Sequence, residues 1–303
     1  MVFGEDVFYK MLTQEVQSYP AKILSEEQRQ DYFDNGCVLL EGLVSNNWLQ
    51  RLGQASQEMI KKSAKLSKSN EVFVLEDGHK FNQPKLKRLN SPVTHHPDFW
   101  KFSARSIIAD AVSDVVGPNV RFHHSKLNYK WAGGGQRFDW HQDIQSWPHT
   151  NYSPVTVGLL LDDVTMAQGP LVAIRSSHLG ELYDLYDEND NFVIRIPETK
   201  LGWITEEMKE YMIGPAGTVF LLNCRTIHGS TVNDSDRSRP LLLNVYSAAD
   251  ALPYGANPIP SQYDGKIVRG ESSRWSHHDP RPCLIPPDWS DGYAGPWSHQ
   301  NLK

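Results

Sequence analysis

The pattern of short apolar runs and turn residues over 119–248 is the feature that most constrains the fold. Short apolar runs recur there, and each is separated from the next by Gly, Pro, Asn or Asp. This spacing is typical of an all-β sandwich or barrel. Predicted strands cover 120–129, the segment around His141, 155–161, 169–174 and 217–223. Residues 181–214 are predicted to form an acidic insertion, helical or irregular.

A layer of helices is predicted ahead of this β region. Ser25-Glu-Glu-Gln28 has the form of a capping box, and Gly36 can end the helix that it starts. Cys37-Val-Leu-Leu40 then reads as a strand. A second helix begins after Ser45, and a third follows Pro97 and continues, as one helix, to Gly117.

The predicted architecture is one domain over residues 1–303, mainly β with flanking helices. Residues 1–118 form the helical layer with early strands, and 119–248 form the β core. Residues 249–303 are rich in Pro, Trp, His and Gly and are predicted to be an ordered cover.

Composition excludes several classes of partner. Thirty basic residues face 36 acidic ones, a net charge of −6 without long blocks of one sign, so we expect a small-molecule partner and no nucleic acid. Three widely spaced cysteines indicate no disulfide framework and predict a cytoplasmic protein. The first twelve residues carry Glu5 and Asp6 without an apolar stretch, and no run has the length of a membrane span.

His141 and Asp143 form the most informative short pattern. Side chains at i and i+2 of a strand point the same way, so this pair would share one face. A distant histidine, His228, would complete a set of two histidines and one carboxylate. Such a set binds Fe(II) on one face and leaves positions open for cosubstrate and oxygen.

Arg239 lies eleven positions beyond His228, and the polar residues between them read as a hairpin turn. An arginine inside a barrel needs an anion, and its fork matches a carboxylate. This predicts a dicarboxylate cosubstrate. The alternatives are a surface ion pair of Arg239 with Asp234 or Asp236, and a cosubstrate role for Arg237 instead.

Three ordered motifs carry a resemblance to a known family. Trp140-His141-Gln142-Asp143, then Gly169-Pro-Leu with Ser177-His178, then His228-Gly-Ser with Arg239 resemble the phytanoyl-CoA dioxygenase family of Fe(II)- and 2-oxoglutarate-dependent oxygenases. Residues 125–147 are similar to ectoine hydroxylase. The resemblance implies a double-stranded β-helix, that is, a cupin-like jelly roll.

The resemblance also implies roles for single residues. The iron ligands would be His141, Asp143 and His228, and the residues near 2-oxoglutarate would be Arg239, Asn128 and Gln142. Trp147 would line the substrate pocket, with His124 and Tyr129 as further candidates. Molecular oxygen would be the second cosubstrate, and ascorbate is a candidate reductant.

The predicted activity is oxidation, foremost hydroxylation, of a small metabolite with release of succinate and carbon dioxide. The carboxylate of Asp143 favours this over halogenation, which would need a vacant ligand position. Two alternatives are a cupin-type metalloenzyme that does not use 2-oxoglutarate and a catalytically silent ligand-binding protein. The substrate and the oligomeric state stay open.

Four other residues receive plainer interpretations. Lys87 and Arg88 are predicted to lie in a solvated stretch, with an anion clamp as the alternative. His123 is predicted to be structural, and Cys224 to be a core residue without nucleophilic function.

Overall fold

A computed structural model describes residues 13–290, 292 and 296–300. Residues 1–12, which carry Glu5 and Asp6 and are predicted to lack an apolar segment, lie outside the described residues. The described strands form two antiparallel sheets. They are β1 Cys37–Leu40, β2 Phe73–Leu75, β3 Leu86–Asn90, β4 Val120–Lys130, β5 Phe138–His141, β6 Val155–Leu160, β7 Leu171–Ile174, β8 Lys209–Tyr211, β9 Val219–Asn223, β10 His228–Ser230, β11 Arg239–Ala248 and β12 Ile267–Arg269.

Helices cover one side of the strands and close the C-terminal end of the chain. Residues 13–18 form a helical segment ahead of the labelled helices. These are α1 Glu26–Asn35, α2 Asn46–Ser63, α3 Pro92–His95, α4 Pro97–Arg105, α5 Ile108–Val116 and α6 Pro296–Gln300.

The predicted start and end of α1 are confirmed. The backbone N–H of Gln28 donates to Ser25 Oγ, and the Ser25 N–H donates to Gln28 Oε1. The helix ends at Gly36, which has φ 74°. A Cβ at this position would lie 2.5 Å from both His178 Nδ1 and Thr226 Oγ1, so the turn needs glycine for its conformation and for space.

The prediction of one long helix after Pro97 is wrong. The chain forms α4 and α5 instead, because Ser106 between them is extended. Arg269, far along the chain, donates to the carbonyls of Ala104 and Ser106 and pairs with Asp110. Its guanidinium thus satisfies carbonyl groups that a continuous helix would have bonded itself.

The larger sheet has the order β1-β9-β6-β11-β4-β3-β2, and β12 pairs with β4. Successive side chains of β11 point to opposite faces of this sheet and enter two different cores. Leu242 packs in the core that contains the helices. Leu241 and Leu243 belong to a second core with Leu171 and Ala173 of the smaller sheet. The larger sheet therefore lies between the helical layer and the smaller sheet.

The smaller sheet has the order β5-β10-β7-β8 and pairs His228 with His141. The predicted hairpin between His228 and Arg239 is wrong, because β10 and β11 belong to different sheets. The intervening turn crosses from one sheet to the other. Asn233 fixes it by donating to the carbonyls of Lys130 and Arg237. These two facing sheets form the expected double-stranded β-helix.

Residues 181–214 are irregular rather than helical. They contain two short 3-10 turns, Glu198–Lys200 and Glu206–Met208, followed by β8. Apolar side chains of this insertion form a core of their own that includes Trp289 of the C-terminal segment. The Trp289 indole donates to the carbonyl of Ser146, so the predicted cover is anchored close to the segment that follows Asp143.

Candidate active site

Three candidate metal ligands, His141, Asp143 and His228, converge in the interior. All are buried, and one ligand atom from each lies within 4.8 Å of the others. Asp143 Oδ1 is 3.7 Å from His141 Nε2 and 3.8 Å from His228 Nε2. These separations exceed a hydrogen bond but are shorter than two metal–ligand bonds of about 2.1 Å each. The three side chains therefore have the spacing of ligands to one ion.

Backbone contacts orient both imidazoles. Nδ1 of His141 donates to the carbonyl of Asp139 at 2.8 Å, and Nδ1 of His228 donates to that of Thr226 at 2.9 Å. With Nδ1 protonated, the lone pair of each neutral ring is on Nε2, the atom that faces Asp143. Thr156 Oγ1 donates to Asp143 Oδ2 at 2.9 Å, and this leaves Oδ1 directed at the histidines. The donor set fits a divalent ion.

The charge states at the site also suit a metal. Burial lowers the pKa of His228 to about 4, which keeps the imidazole neutral and able to coordinate. For Asp143, burial favours the neutral acid, but Lys126, His228 and His141 outweigh it. The pKa of Asp143 therefore lies well below its ordinary value, and the carboxylate is charged.

The expectation that one strand carries both His141 and Asp143 is wrong. Strand β5 ends at His141, and Asp143 begins a 3-10 turn that continues to Gln145. The Ile144 N–H donates to the carbonyl of Cys224, a buried core residue as predicted. This contact turns the chain away from β5 directly after Gln142.

Gln142, between the two ligands, does not face the metal centre. Its amide donates to the carbonyls of Glu181 and Arg225 and accepts from the Tyr183 N–H. The side chain therefore joins the ligand turn to the insertion and to the segment ahead of His228. Gln142 lines neither of the two cavities described below, and its predicted place near 2-oxoglutarate stays a prediction.

Arg239 lies in a cavity beside the histidines. This cavity has a volume of about 60 Å³ and is also lined by Asn128, Ser230, His141 and His228. Arg239 is 4% exposed, and its guanidinium forms no hydrogen bond or ion pair with any described residue. Burial lowers the pKa of Arg239 to about 10. A buried cation without a partner is the local signature of an anion site.

The alternatives for Arg239 find no support in the geometry. Arg237 is exposed at the surface and does not line the cavity. Lys130 is the nearer rival, but its ammonium donates to Ser230 Oγ at 2.8 Å and to the carbonyl of Thr231. Burial and the neighbouring Arg239 lower the pKa of Lys130 to about 6. Of these three rivals for the cosubstrate role, only Arg239 both lines the cavity and lacks a described partner.

A second cavity of about 30 Å³ adjoins the first and reaches His141 and Asp143 from the other side. His124 and Trp147, two of the predicted substrate residues, both line it. Their rings lie 5.7 Å apart. His123 holds His124 through a contact of 2.6 Å between their Nδ1 atoms. Burial lowers the pKa of His124 well below its ordinary value, so this imidazole is neutral.

Tyr129 is placed differently from His124 and Trp147. Its ring packs in the core beneath the helices, and its hydroxyl group is 2.8 Å from Ser56 Oγ of α2. Tyr129 borders the first cavity but does not line the second. The physical reason is the alternation along β4, which turns Tyr129 to the opposite face from Asn128.

The prediction that Arg88 is solvated is wrong. Two further residues of the site, Lys126 and Trp297, were not predicted from the sequence. Arg88 is 2% exposed on β3, lines both cavities and donates from Nε to Asn128 Oδ1 at 2.8 Å. Lys126 also lines both cavities, and burial lowers its pKa to about 8. Trp297 of α6 stacks on Arg88 at 4.6 Å and covers the first cavity. Lys126 shares the inward face of β4 with His124 and Asn128, a signal that period-two alternation offers.

Comparison with known proteins decides the family. The family model for phytanoyl-CoA dioxygenase (PhyH) matches residues 32–241, more than half of the chain. The chain belongs to this family. It is therefore an Fe(II)- and 2-oxoglutarate-dependent dioxygenase, the first of the three predicted alternatives, and O₂ is its second cosubstrate.

Relatives within the family act on different small molecules. A probable alpha-ketoglutarate-dependent hypophosphite dioxygenase of Stutzerimonas stutzeri is 28% identical over 262 residues, which cover 86% of this chain and 91% of the relative. The ectoine dioxygenase of Bordetella parapertussis is 26% identical over 261 residues, with 79% and 82% covered.

Solved structures support the fold. EctD from S. alaskensis with 2-oxoglutarate and 5-hydroxyectoine matches with a TM-score of 0.65 and 21% identity, covering 86% of this chain and 92% of that one. The carbocyclase SnoK from nogalamycin biosynthesis matches with a TM-score of 0.63 and 20% identity, covering 84% and 98%. No helix within the described residues is long and apolar enough to cross a membrane.

Proposed function

We propose that His141, Asp143 and His228 hold Fe(II) and that the first cavity takes 2-oxoglutarate with its far carboxylate on Arg239. The observation that supports this most is the buried guanidinium of Arg239, which has no partner among the described residues and shares a cavity with both histidines. When bound, Fe(II) activates O₂ for substrate oxidation, coupled to conversion of 2-oxoglutarate to succinate and carbon dioxide.

The residues of the chain then have distinct tasks. The two neutral imidazoles and the Asp143 carboxylate supply three donors, and the carbonyls of Asp139 and Thr226 hold the rings in place. Arg239 orients the cosubstrate through a carboxylate fork. Trp297 lies over the Arg88 side of this cavity and excludes water from it.

The second cavity is proposed as the substrate site. It has Trp147 and His124 in its wall and reaches the same His141 and Asp143. Relatives are named for ectoine, hypophosphite, 2-aminoethylphosphonate and L-proline, all compact polar molecules. We propose a substrate of this size and hydroxylation as the reaction. The carboxylate of Asp143 occupies the ligand position that halogenation would require.

Two broader predictions stay proposals. Residues 1–303 are proposed to act as one oxygenase domain. The proposed compartment is the cytoplasm, because none of the three cysteines, Cys37, Cys224 and Cys283, is in a disulfide.

The test is anaerobic addition of Fe(II) and 2-oxoglutarate to the metal-free protein. We expect a visible charge-transfer band and, after admission of oxygen, slow succinate formation. His141→Ala should abolish both signals, and His278→Ala, at an exposed histidine, should leave both unchanged. Turnover that persists in His141→Ala would refute the ligand assignment.

A further inference from the structure

The wall between the two cavities carries an excess of cations. Arg88 and Lys126 line both cavities, and Lys130 and Arg239 line the first. Asp143 is the single carboxylate among the described lining residues. Lys130 is already held by Ser230 Oγ and two carbonyl groups.

Lys126 is the cation that the described contacts leave unassigned. Its side chain lines the second cavity together with Asp143. Its ammonium forms no hydrogen bond, and no ion pair within 4.0 Å, with the residues that the structure describes. Arg88, in contrast, donates to Asn128 and stacks on Trp297. Lys126 is thus a half-buried cation that lines the second cavity without a described partner.

Cofactor and cosubstrate do not cancel this excess. Fe(II) carries two positive charges and 2-oxoglutarate two negative ones, so their joint binding leaves the balance of the walls unchanged. Of the four lining cations, Arg239 faces the proposed cosubstrate. Arg88 donates to Asn128, and Lys130 donates to Ser230 and to two carbonyl groups. Lys126 is therefore the lining cation that neither the cosubstrate nor a described residue engages, and a charge shielded from bulk water without a partner is unfavourable.

The place left for a counter-ion is the second cavity. Arg239 belongs only to the lining of the first cavity, which 2-oxoglutarate would fill, whereas Lys126 also faces the second. Arg88 also lines the second cavity, but its guanidinium already donates to Asn128, and Asp143 lines it as a proposed metal ligand. A volume of about 30 Å³ admits only a few heavy atoms.

We propose that the substrate carries an oxyanion group, a carboxylate or a phosphorus oxyanion, which Lys126 binds beside the metal centre. This inference rests on the proposed function and names the substrate class of that same site. Trp147 also lines this small cavity, so the remainder of the substrate is short and contacts an aromatic ring. Lys126 is a specificity-determining residue, and a neutral analogue of an accepted anion should bind poorly.

The experiment uses the anaerobic complex of the full chain with Fe(II) and 2-oxoglutarate. Methylphosphonate and propionate are titrated in, and the perturbation of the charge-transfer band gives their affinities. Dimethyl methylphosphonate is the neutral control compound. The variants are Lys126→Met, Lys126→Arg and, as a matched control at an exposed lysine, Lys266→Met.

We expect at least one anion to perturb the band and the neutral ester to have no effect. Lys126→Met should bind that anion at least ~10-fold more weakly, with 2-oxoglutarate affinity retained, and Lys126→Arg should restore part of the binding. The response of Lys266→Met should match that of the wild type. Whether the phosphonate or the carboxylate binds more tightly identifies the oxyanion.

Other outcomes would overturn the inference. If the wild-type band forms but neither anion perturbs it, or if Lys126→Met binds the anion as the wild type does, Lys126 is not the substrate anchor. If Lys126→Met instead loses 2-oxoglutarate, Lys126 serves the cosubstrate. Absence of the band in the wild type would overturn the proposed function itself, together with this inference.

Discussion

Replacing Arg239 by methionine should weaken cosubstrate binding and stabilise the metal-free protein at the same time. Methionine has a similar length but no charge, and the site of Arg239 is buried without a hydrogen-bonding partner for Nε. Most single substitutions in a protein lower its stability. The opposite sign is expected here because the folded protein keeps this guanidinium away from water before any anion arrives.

The structure sets the size of both effects. Burial takes the pKa of Arg239 from 12.5 to about 10, which at about 1.36 kcal/mol per pKa unit corresponds to about 3 kcal/mol against folding. Relaxation of the site around the guanidinium lowers this cost, so we expect Arg239→Met to raise the free energy of unfolding by ~1–3 kcal/mol. Removing one partner of a buried ion pair costs about 2–5 kcal/mol, which predicts at least ~30-fold weaker 2-oxoglutarate binding.

Two measurements check this prediction. Anaerobic titration of the charge-transfer band gives the 2-oxoglutarate affinity, and urea denaturation of the metal-free protein gives the free energy of unfolding. Arg237→Met is the matched control, because Arg237 is exposed two positions away. Unchanged cosubstrate affinity in Arg239→Met would refute the carboxylate role. A large loss of stability would show that Arg239 holds the fold together.

Three further outcomes follow from the contacts of the site. Thr156→Val removes the hydrogen bond to Asp143 Oδ2 and should weaken Fe(II) binding ~10-fold or more in an anaerobic titration, with unfolding in urea unchanged. Gly36→Ala should lower the free energy of unfolding in urea by ~2–4 kcal/mol, because its Cβ would lie 2.5 Å from His178 and Thr226 atoms. Burial lowers the pKa of His178 from 6.5 to about 4, so its neutral form stabilises the fold fully above about pH 6.5. That contribution falls by about 1.4 kcal/mol per unit as the pH drops toward 4, and His178→Gln should make urea-derived stability less sensitive to acid in this range.

Local signals in the sequence predicted those parts of the fold that local contacts determine. The capping box at Ser25 and the left-handed Gly36 bound α1 through hydrogen bonds within a few residues. The break between α4 and α5 depends instead on Arg269, more than 150 residues away. The crossing between the sheets depends similarly on Asn233 bonding to Lys130. The hydrophobic periodicity of a local segment gives no information about partners so far away along the chain.

The same distinction between local and long-range determinants holds for the residues of the candidate site. His141, Asp143 and His228 could be found from residue type and spacing, and Lys126 could have been found from its alternation with His124 on β4. Arg88 could not, because its place in the site depends on the pairing of β3 with β4. That register sets Arg88 opposite Asn128, and nothing in the Lys-Leu-Lys-Arg stretch indicates which strand it would join.

A comparison between two buried arginines explains why Arg239 is informative. Arg29 is even less exposed than Arg239, yet its guanidinium donates to the carbonyls of Asp114 and Tyr19 and to others close by. This fold therefore satisfies a buried guanidinium fully where the role is structural. Arg239 receives no such carbonyls among the described residues, although it lies on a rigid central strand. A buried guanidinium without a hydrogen-bonding partner destabilises the fold. Its presence at this position is therefore explained by an anion that binds to it, because folding alone would favour its replacement.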